Sequence, residues 1–324
     1  MKEISVIKGN IKIRLEMKIL EFKHESVMLE EVTKILQPGG DKIFLDCTVG
    51  GGGHSKRIGE QLNSAGMLIG IDRDMAAVNA ARNNLSELSC KIEIVHGNFS
   101  ELDKILDGLS VDKIDGVVFD LGISSYQIDN GERGFSYMKD APLDMRMNRE
   151  QKFSAYNVVN EYSESQLIKI FHEYGEERFS KRIAAAVIKS RPIKTTGELA
   201  EIIAKNIPYT NTHPAKRIFQ AVRIEVNNEL NILADSIKKA VGRLKVGGRI
   251  AIITFHSLED RIVKNTFKDM AKGCICPKNF PVCVCNHKAE IKILDKTKVA
   301  SYDELNKNSR AKSAKLRAAE KLGG

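Results

Sequence analysis

The chain has 324 residues, a net charge of +9, 42% hydrophobic residues and six cysteines. That length exceeds a single domain of roughly 100–200 residues, the apolar share suffices for a packed core, and no run of about 18 apolar residues suggests a membrane span. The positive balance favours nucleic acid or another polyanion as partner, and without a recognisable secretory leader the chain is expected in the cytoplasm.

In chain order, residues 1–23 read as an N-terminal extension, with Met17 an alternative start to Met1. From Ile43 the pattern alternates between strand and helix. Ile43-Phe44-Leu45 is a short apolar run ending in Asp46 and four glycines, and Ser55–Leu62 reads as a helix. Met67–Ile71 is a second strand ending in Asp72, followed by an alanine-rich helix over Asp74–Leu88. Lys91–Val95 and Ile114–Phe119 are the third and fourth strands, the latter ending in Asp120-Leu121-Gly122. This alternation predicts an α/β fold, a parallel sheet with helices on both faces. The fifth strand, Arg249–Phe255, is late by about 125 residues, far more than a crossover needs. The excess is helical, at Glu164–Tyr174, Glu176–Lys189, Thr196–Asn206 and Glu225–Leu244, the last returning to the core beside strand five. The division expected is a discontinuous core (24–125 and 215–305), a helical insert (126–214) and a basic C-terminal tail (306–324). The tail carries Lys307, Arg310, Lys312, Lys315, Arg317 and Lys321, and reads as a solvated helix or as a phosphate contact.

The glycine turn Asp46-Cys47-Thr48-Val49-Gly50-Gly51-Gly52-Gly53-His54 follows a strand and precedes a helix, the setting of a nucleotide-binding loop. It does not fit the dinucleotide pattern G-x-G-x-x-G, because the sixth position from Gly50 is Ser55. An acidic residue four places before the first glycine fits methyltransferases that use S-adenosylmethionine. Asp46 would then meet the cofactor's amino-acid part directly or through the loop. Asp72 at the end of strand two can accept both ribose hydroxyls, or simply cap the next helix. Phe99 reads equally as an adenine wall and as a core residue. Asp120 ends strand four, where substrate and cofactor would meet. A carboxylate there can take the N–H bond of a conjugated amine and aim its lone pair, so that orientation supplies much of the catalysis without a metal. A helix N-cap is the alternative. Cys274, Cys276, Cys283 and Cys285 form two C-x-C pairs. The pairs read as a reduced surface hairpin, or as a zinc site with unusually close ligand spacing, to which His287 could add.

Several longer motifs occur in order: Asp46–Ser55, Asp120–Asp129, Glu132–Ser136, Pro142–Met147, Tyr174–Arg178, His213–Arg217, Phe219–Ile224, Phe255–Lys264 and Asn308–Arg317. Together they closely resemble the bacterial ribosomal RNA small-subunit methyltransferase H family, also called MraW, from about His24 to Leu322. The resemblance implies a Rossmann-like class I S-adenosylmethionine-dependent methyltransferase with an inserted helical subdomain. It implies methylation of N4 of a cytidine in the decoding region of 16S rRNA (position 1402 in standard ribosomal numbering). The implied partner is that rRNA within the small ribosomal subunit, with no membrane and no obligatory protein partner. Gly52, Gly53, His54, Asp72, Phe99, Asp120 and Gln127 are the implied cofactor contacts, Asp120 the catalytic residue, and no metal is expected among them. The insert is implied to recognise RNA. Departures are Cys47 and Val49, where relatives often have Gly and Phe, Lys216 for a common Thr, and Ala311-Lys312; the cysteine pairs occur only in some relatives. Glu132–Phe135 and Asp144–Arg146 read either as structural ion pairs or as RNA contacts. Arg217 and Arg223 read as phosphate ligands or as partners of Glu225. His256 and Ser257 are candidates for the cytidine pocket, with an N-cap role for Ser257 the alternative.

Overall fold

A computed structural model describes residues 26–207, 213–277, 282 and 284–323. The extension 1–23, with Met17, and Cys283 lie outside the described residues. Seven strands make one sheet: β1 (Ile43–Asp46), β2 (Met67–Asp72), β3 (Lys91–His96), β4 (Ile114–Asp120), β5 (Leu244–Thr254), β6 (Ile291–Val299) and β7 (Lys315–Lys321). Their order is β3-β2-β1-β4-β5-β7-β6. The first five are parallel, and β7 runs antiparallel between β5 and β6.

The helices in chain order are α1 (Leu29–Leu36), α2 (Gly53–Gly59), α3 (Met75–Leu85), α4 (Leu102–Gly108), α5 (Ser125–Asp129), α6 (Ala155–Glu161) and α7 (Glu164–Glu173). They continue with α8 (Ser180–Lys189), α9 (Thr196–Asn206), α10 (Ala215–Asn227), α11 (Leu233–Arg243), α12 (Ser257–Met270) and α13 (Tyr302–Lys307).

Strand periodicity explains why the buried strands read as unbroken apolar runs. Leu45, Ile69, Val117, Ile250 and Ile252 face one side of the sheet, where α4, α11 and α12 bury Leu106, Ile237 and Phe267. Their neighbours Phe44, Leu68, Val118, Ala251 and Ile253 face the other side, against Val32 of α1, Ile58 of α2 and Leu85 of α3. A strand covered on both faces needs apolar residues at every position.

A third cluster lies outside the sheet. It joins Phe135, Leu143 and Met145 to the apolar faces of α6–α10. Two of these helices begin where capping boxes satisfy the first backbone N–H groups, Ser163 with Gln166 for α7 and Thr195 with Glu198 for α9.

Three local expectations differ from the structure. Residues 225–244 are not one helix: Asn228, in the left-handed region at φ 51°, ends α10, and α11 begins at Leu233. Asparagine tolerates that conformation, so the polar pair Asn227-Asn228 was the stop signal. Helix α10, assigned to the core by the boundary at 214, packs Ile218, Phe219 and Val222 with the helices of the third cluster. The tail is not a solvated helix. Lys315–Lys321 is a strand that buries Leu316, Ala318 and Ala319, and Lys315 and Arg317 are held by Asp260 of α12 at 3.1 and 2.6 Å. Those two cations thus have an internal partner in Asp260. Lysine, arginine and alanine favour helices, but the open slot between β5 and β6 overrides propensity. The side chains of Lys307 and Arg310 lie outside what is described.

Candidate active site

The sheet reverses direction of growth between β1 and β4, so a crevice opens at the carboxyl ends of these strands, the general ligand position of open α/β sheets. Asp46, Asp72 and Asp120 end β1, β2 and β4 at this rim. A cleft of about 1160 Å³, including its open mouth, lies there.

The glycine turn is fixed rather than loose. Val49 N–H donates to the Ile71 carbonyl at 2.9 Å, Gly50 N–H to Asp72 Oδ2 at 2.8 Å, and Asn84 Nδ2 to the Gly51 carbonyl at 2.9 Å. Gly50 and Gly52 have φ of 52° and 85°, a region where a side chain is strained. A Cβ on Gly52 would also press on Leu85, and one on Gly53 would collide with Ser26 Oγ. Asp46 acts through the loop: it is buried, accepts from Thr48 N and Ser55 Oγ at 3.1 and 2.7 Å, and does not line the cleft.

Of the seven residues expected at the cofactor, Gly53, His54, Asp72, Phe99, Asp120 and Gln127 line this cleft. Gly52 does not; it is the left-handed N-cap residue that turns the chain into α2. The Phe99 ring packs edge-on to Phe119 at 5.5 Å in the core and also borders the cleft. Asp120 is not a helix cap; α5 is capped by Ser124 in a capping box with Gln127.

Asp120 and His54 form the centre of the rim. His54 Nε2 is 3.7 Å from Asp120 Oδ2. Asp120 Oδ1 and both ring nitrogens of His54 are buried without a hydrogen-bond partner. Burial works against the charged imidazole, but the carboxylates of Asp120 and Asp46 outweigh it and raise the His54 pKa above its ordinary value. An orphaned carboxylate oxygen at a cleft wall is expensive unless a ligand donor meets it.

The insert reaches the same cleft through Gln127 and Met147. Arg133 holds it there. Its guanidinium, 2% exposed, pairs with Asp74 Oδ2 at 2.6 Å and donates to the carbonyls of Arg146 and Met147 at 2.9 and 3.1 Å. Gln127 Nε2 donates to the same Asp74 oxygen at 2.9 Å. Asp144 and Arg146 pair with each other at 2.6 Å. Both charge-rich motifs are therefore built as structural ion pairs.

Other expectations shift by a residue or a partner. His256, not Ser257, caps α12, and Ser257 Oγ donates to Glu176 at 2.6 Å. Neither borders the cleft, whereas Phe255 and Glu259 do. Arg223 forms a two-pronged pair with Glu229 at 2.9 Å, Arg217 approaches Glu177 at 3.8 Å, and Glu225 instead accepts from Tyr162. Glu229 and Glu259 were missed as cleft residues. The spacing of His256 and Glu259 matches a capping box, which would have placed Glu259 at the start of a helix beside strand five.

The sequence pattern of the MraW methylase family matches residues 21–322. The chain belongs to this family. Ribosomal RNA small subunit methyltransferase H from Clostridium botulinum (strain Loch Maree / Type A3) is 54% identical over 310 residues, covering 94% of this chain and 100% of that protein. The protein of the same name from Clostridioides difficile (strain 630) is 50% identical over 311 residues, with the same coverage. Among the described residues no helix is long and apolar enough to cross a membrane.

In this member of the MraW family, Asp72 carries a pH signature. The surrounding wall strips water from the carboxylate and pushes its pKa up to about 6, although the N–H groups of Asp74 and Gly50 favour the charged form. A ligand hydroxyl that donates to the carboxylate binds the charged form. Affinity for an adenosyl ligand is therefore expected to hold above that value and to weaken as pH falls through it. Calorimetric titration with S-adenosylhomocysteine on either side of that pH checks this. Asp72→Asn should bind weakly throughout and lose the pH dependence; a variant that keeps the wild-type profile would remove Asp72 as the titrating group.

Proposed function

We propose that the chain transfers a methyl group from S-adenosylmethionine to N4 of the decoding-region cytidine of 16S rRNA, acting on the small ribosomal subunit in the cytoplasm. The observation that carries this reading is the buried, unpartnered Oδ1 of Asp120 at the strand rim, in one cleft with Asp72 and the glycine turn. Family membership supports the reaction class, and the names of the relatives support the substrate class.

S-adenosylmethionine supplies a methyl group already activated on a sulfonium. Asp72 would accept the ribose hydroxyls: each of its oxygens receives one backbone N–H and keeps a lone pair for more. Phe99 offers an apolar wall to adenine. Gly52, Gly53 and His54 shape the turn against the amino-acid end, and Gln127 closes the side. Asp120 Oδ1 takes one N–H of the exocyclic amine. That nitrogen is a poor nucleophile while its lone pair is conjugated with the ring, and the carboxylate both localises the pair and aims it. As the N–C bond forms the C–S bond breaks, and the amine proton passes to solvent. The base must leave its stack to reach the rim, and the helical insert, which lends Met147 and Gln127 to the cleft, would hold the RNA around it.

Incubating the purified chain with methyl-labelled donor and small subunits from a strain lacking the mark is expected to label that cytidine. Labelling elsewhere, or none, overturns the assignment.

A further inference from the structure

The two C-x-C pairs are not absorbed by methyl transfer. They sit in the connection between α12 and β6, residues 271–290, which is longer than the roughly 12–15 residues usual for a connection without its own secondary structure. Among its described residues the large apolar side chains Ile275, Val282 and Val284 are 60%, 69% and 66% exposed.

The Sγ atoms of Cys274, Cys276 and Cys285 all lie within 4.8 Å of one another, and those of Cys274 and Cys285 are 3.8 Å apart. That separation is far beyond a disulfide, whose sulfurs are about 2.05 Å apart. It is the edge of a tetrahedron around zinc, because a Zn–S bond of about 2.3 Å implies sulfurs roughly 3.8 Å apart. The backbone is arranged for thiolates as well. Ile275 N–H points at Cys285 Sγ at 3.5 Å, and Val284 N–H points at Cys276 Sγ at 3.4 Å, so each arm of the hairpin donates to a sulfur of the other. The close spacing of Cys274 and Cys276 is thereby explained: Cys285 joins them from the far side of the connection.

We propose that Cys274, Cys276 and Cys285 bind a structural zinc ion that staples the α12–β6 connection. Cys283, which lies outside the described residues, is the fourth thiol the sequence offers; His287, whose Nδ1 is buried without a hydrogen-bond partner, is the other candidate, although its ring is not in the group of sulfurs within 4.8 Å of one another. Four protein ligands would leave no open position, so the ion is structural and takes no part in methyl transfer.

The tag-free full chain, purified under reducing conditions, is expected to carry about one equivalent of zinc by elemental analysis. Exchange with Co2+ should give the intense visible bands of tetrahedral cobalt and the near-ultraviolet thiolate charge-transfer band. An organomercurial should release zinc as it titrates the thiols of the folded wild-type chain. Cys276→Ser and Cys285→Ser should lose zinc while keeping the far-ultraviolet circular dichroism of the rest of the fold. Loss in Cys283→Ser but not His287→Ala makes Cys283 the fourth ligand, and the reverse pattern makes it His287; both support the site. No zinc in the purified chain together with no thiolate–cobalt band overturns the proposal. So does full zinc retention in both serine variants, iron in place of zinc, or a Cys274–Cys285 disulfide found by mass spectrometry in the freshly reduced chain.

Discussion

Asp120→Ala is expected to cut turnover at least about 100-fold while changing donor affinity only a few-fold, because misplacing a reacting group by an ångström is enough for a loss of that size. The lone pairs already taken set the size of the effect. The Asp120 backbone N–H donates to Thr48 Oγ1 at 2.7 Å, which fixes the strand end against the glycine turn. The side chain then presents Oδ2 to His54 and leaves Oδ1 unpartnered. Alanine removes the only carboxylate that β4 brings to the rim, whereas the turn, Asp72 and the cleft walls stay in place. Asp120→Asn keeps one acceptor oxygen with the same reach and should fall between wild type and alanine. Single-turnover rates and calorimetric donor binding separate the two roles assigned to Asp120. A fall in rate at constant donor affinity makes it the residue that orients the amine. Weaker donor binding at unchanged rate makes it a cofactor contact alone. Unchanged values in both remove it from the reaction.

The second large effect concerns stability. Arg133→Met should destabilise the protein by about 3–5 kcal/mol, the usual cost of breaking a buried ion pair from one side. The change leaves Asp74 buried with Gln127 and the Ala76 N–H as its remaining donors. It also strands the carbonyls of Arg146 and Met147, which lose their guanidinium donors. Denaturant unfolding measures the loss. The double variant Arg133→Met with Asp74→Leu should recover part of it, since no unpaired charge is then left in the interior. An Arg133→Met variant as stable as wild type would show that the pair is dispensable. Because Gln127 hangs from the same carboxylate and Met147 follows the same loop, the single variant should also weaken donor binding.

Much of the site was legible because strand ends and glycine turns are local signals. A buried parallel strand must be apolar at every position, so the first polar residue after it marks the rim. Asp46, Asp72 and Asp120 could each be placed by that rule. Gly50 and Gly52 announced a backbone with positive φ. The role of Asp46 was open in the sequence, since only the positions of Thr48 and Ser55 show that its two oxygens are spent on the loop.

Other features depend on partners distant in sequence. Arg133 reads as an ion-pair partner or as an RNA contact until Asp74, the N-cap residue of α3, lies 2.6 Å away. Lys315 and Arg317 read as a solvated basic stretch until β5 and β6 offer a slot and Asp260 takes both charges. Arg223 and Glu225, two residues apart, point to different sides of α10, and the break at Asn228 folds Glu229 back to Arg223. The cysteine pairs have the wrong spacing for a knuckle along the chain, and only the fold brings the sulfurs of Cys274, Cys276 and Cys285 within 4.8 Å of one another.

The sequence by itself thus determined the alternating sheet, the helical excess and the adenosyl-type turn, because hydrophobic periodicity and glycine conformation act over a few residues. Tertiary structure alone decided that α10 packs with the helices of the third cluster, that the tail is an antiparallel strand between β5 and β6, and which charges are spent on one another. Those outcomes depend on burial and on donors tens to hundreds of residues apart, and no local preference encodes such a meeting.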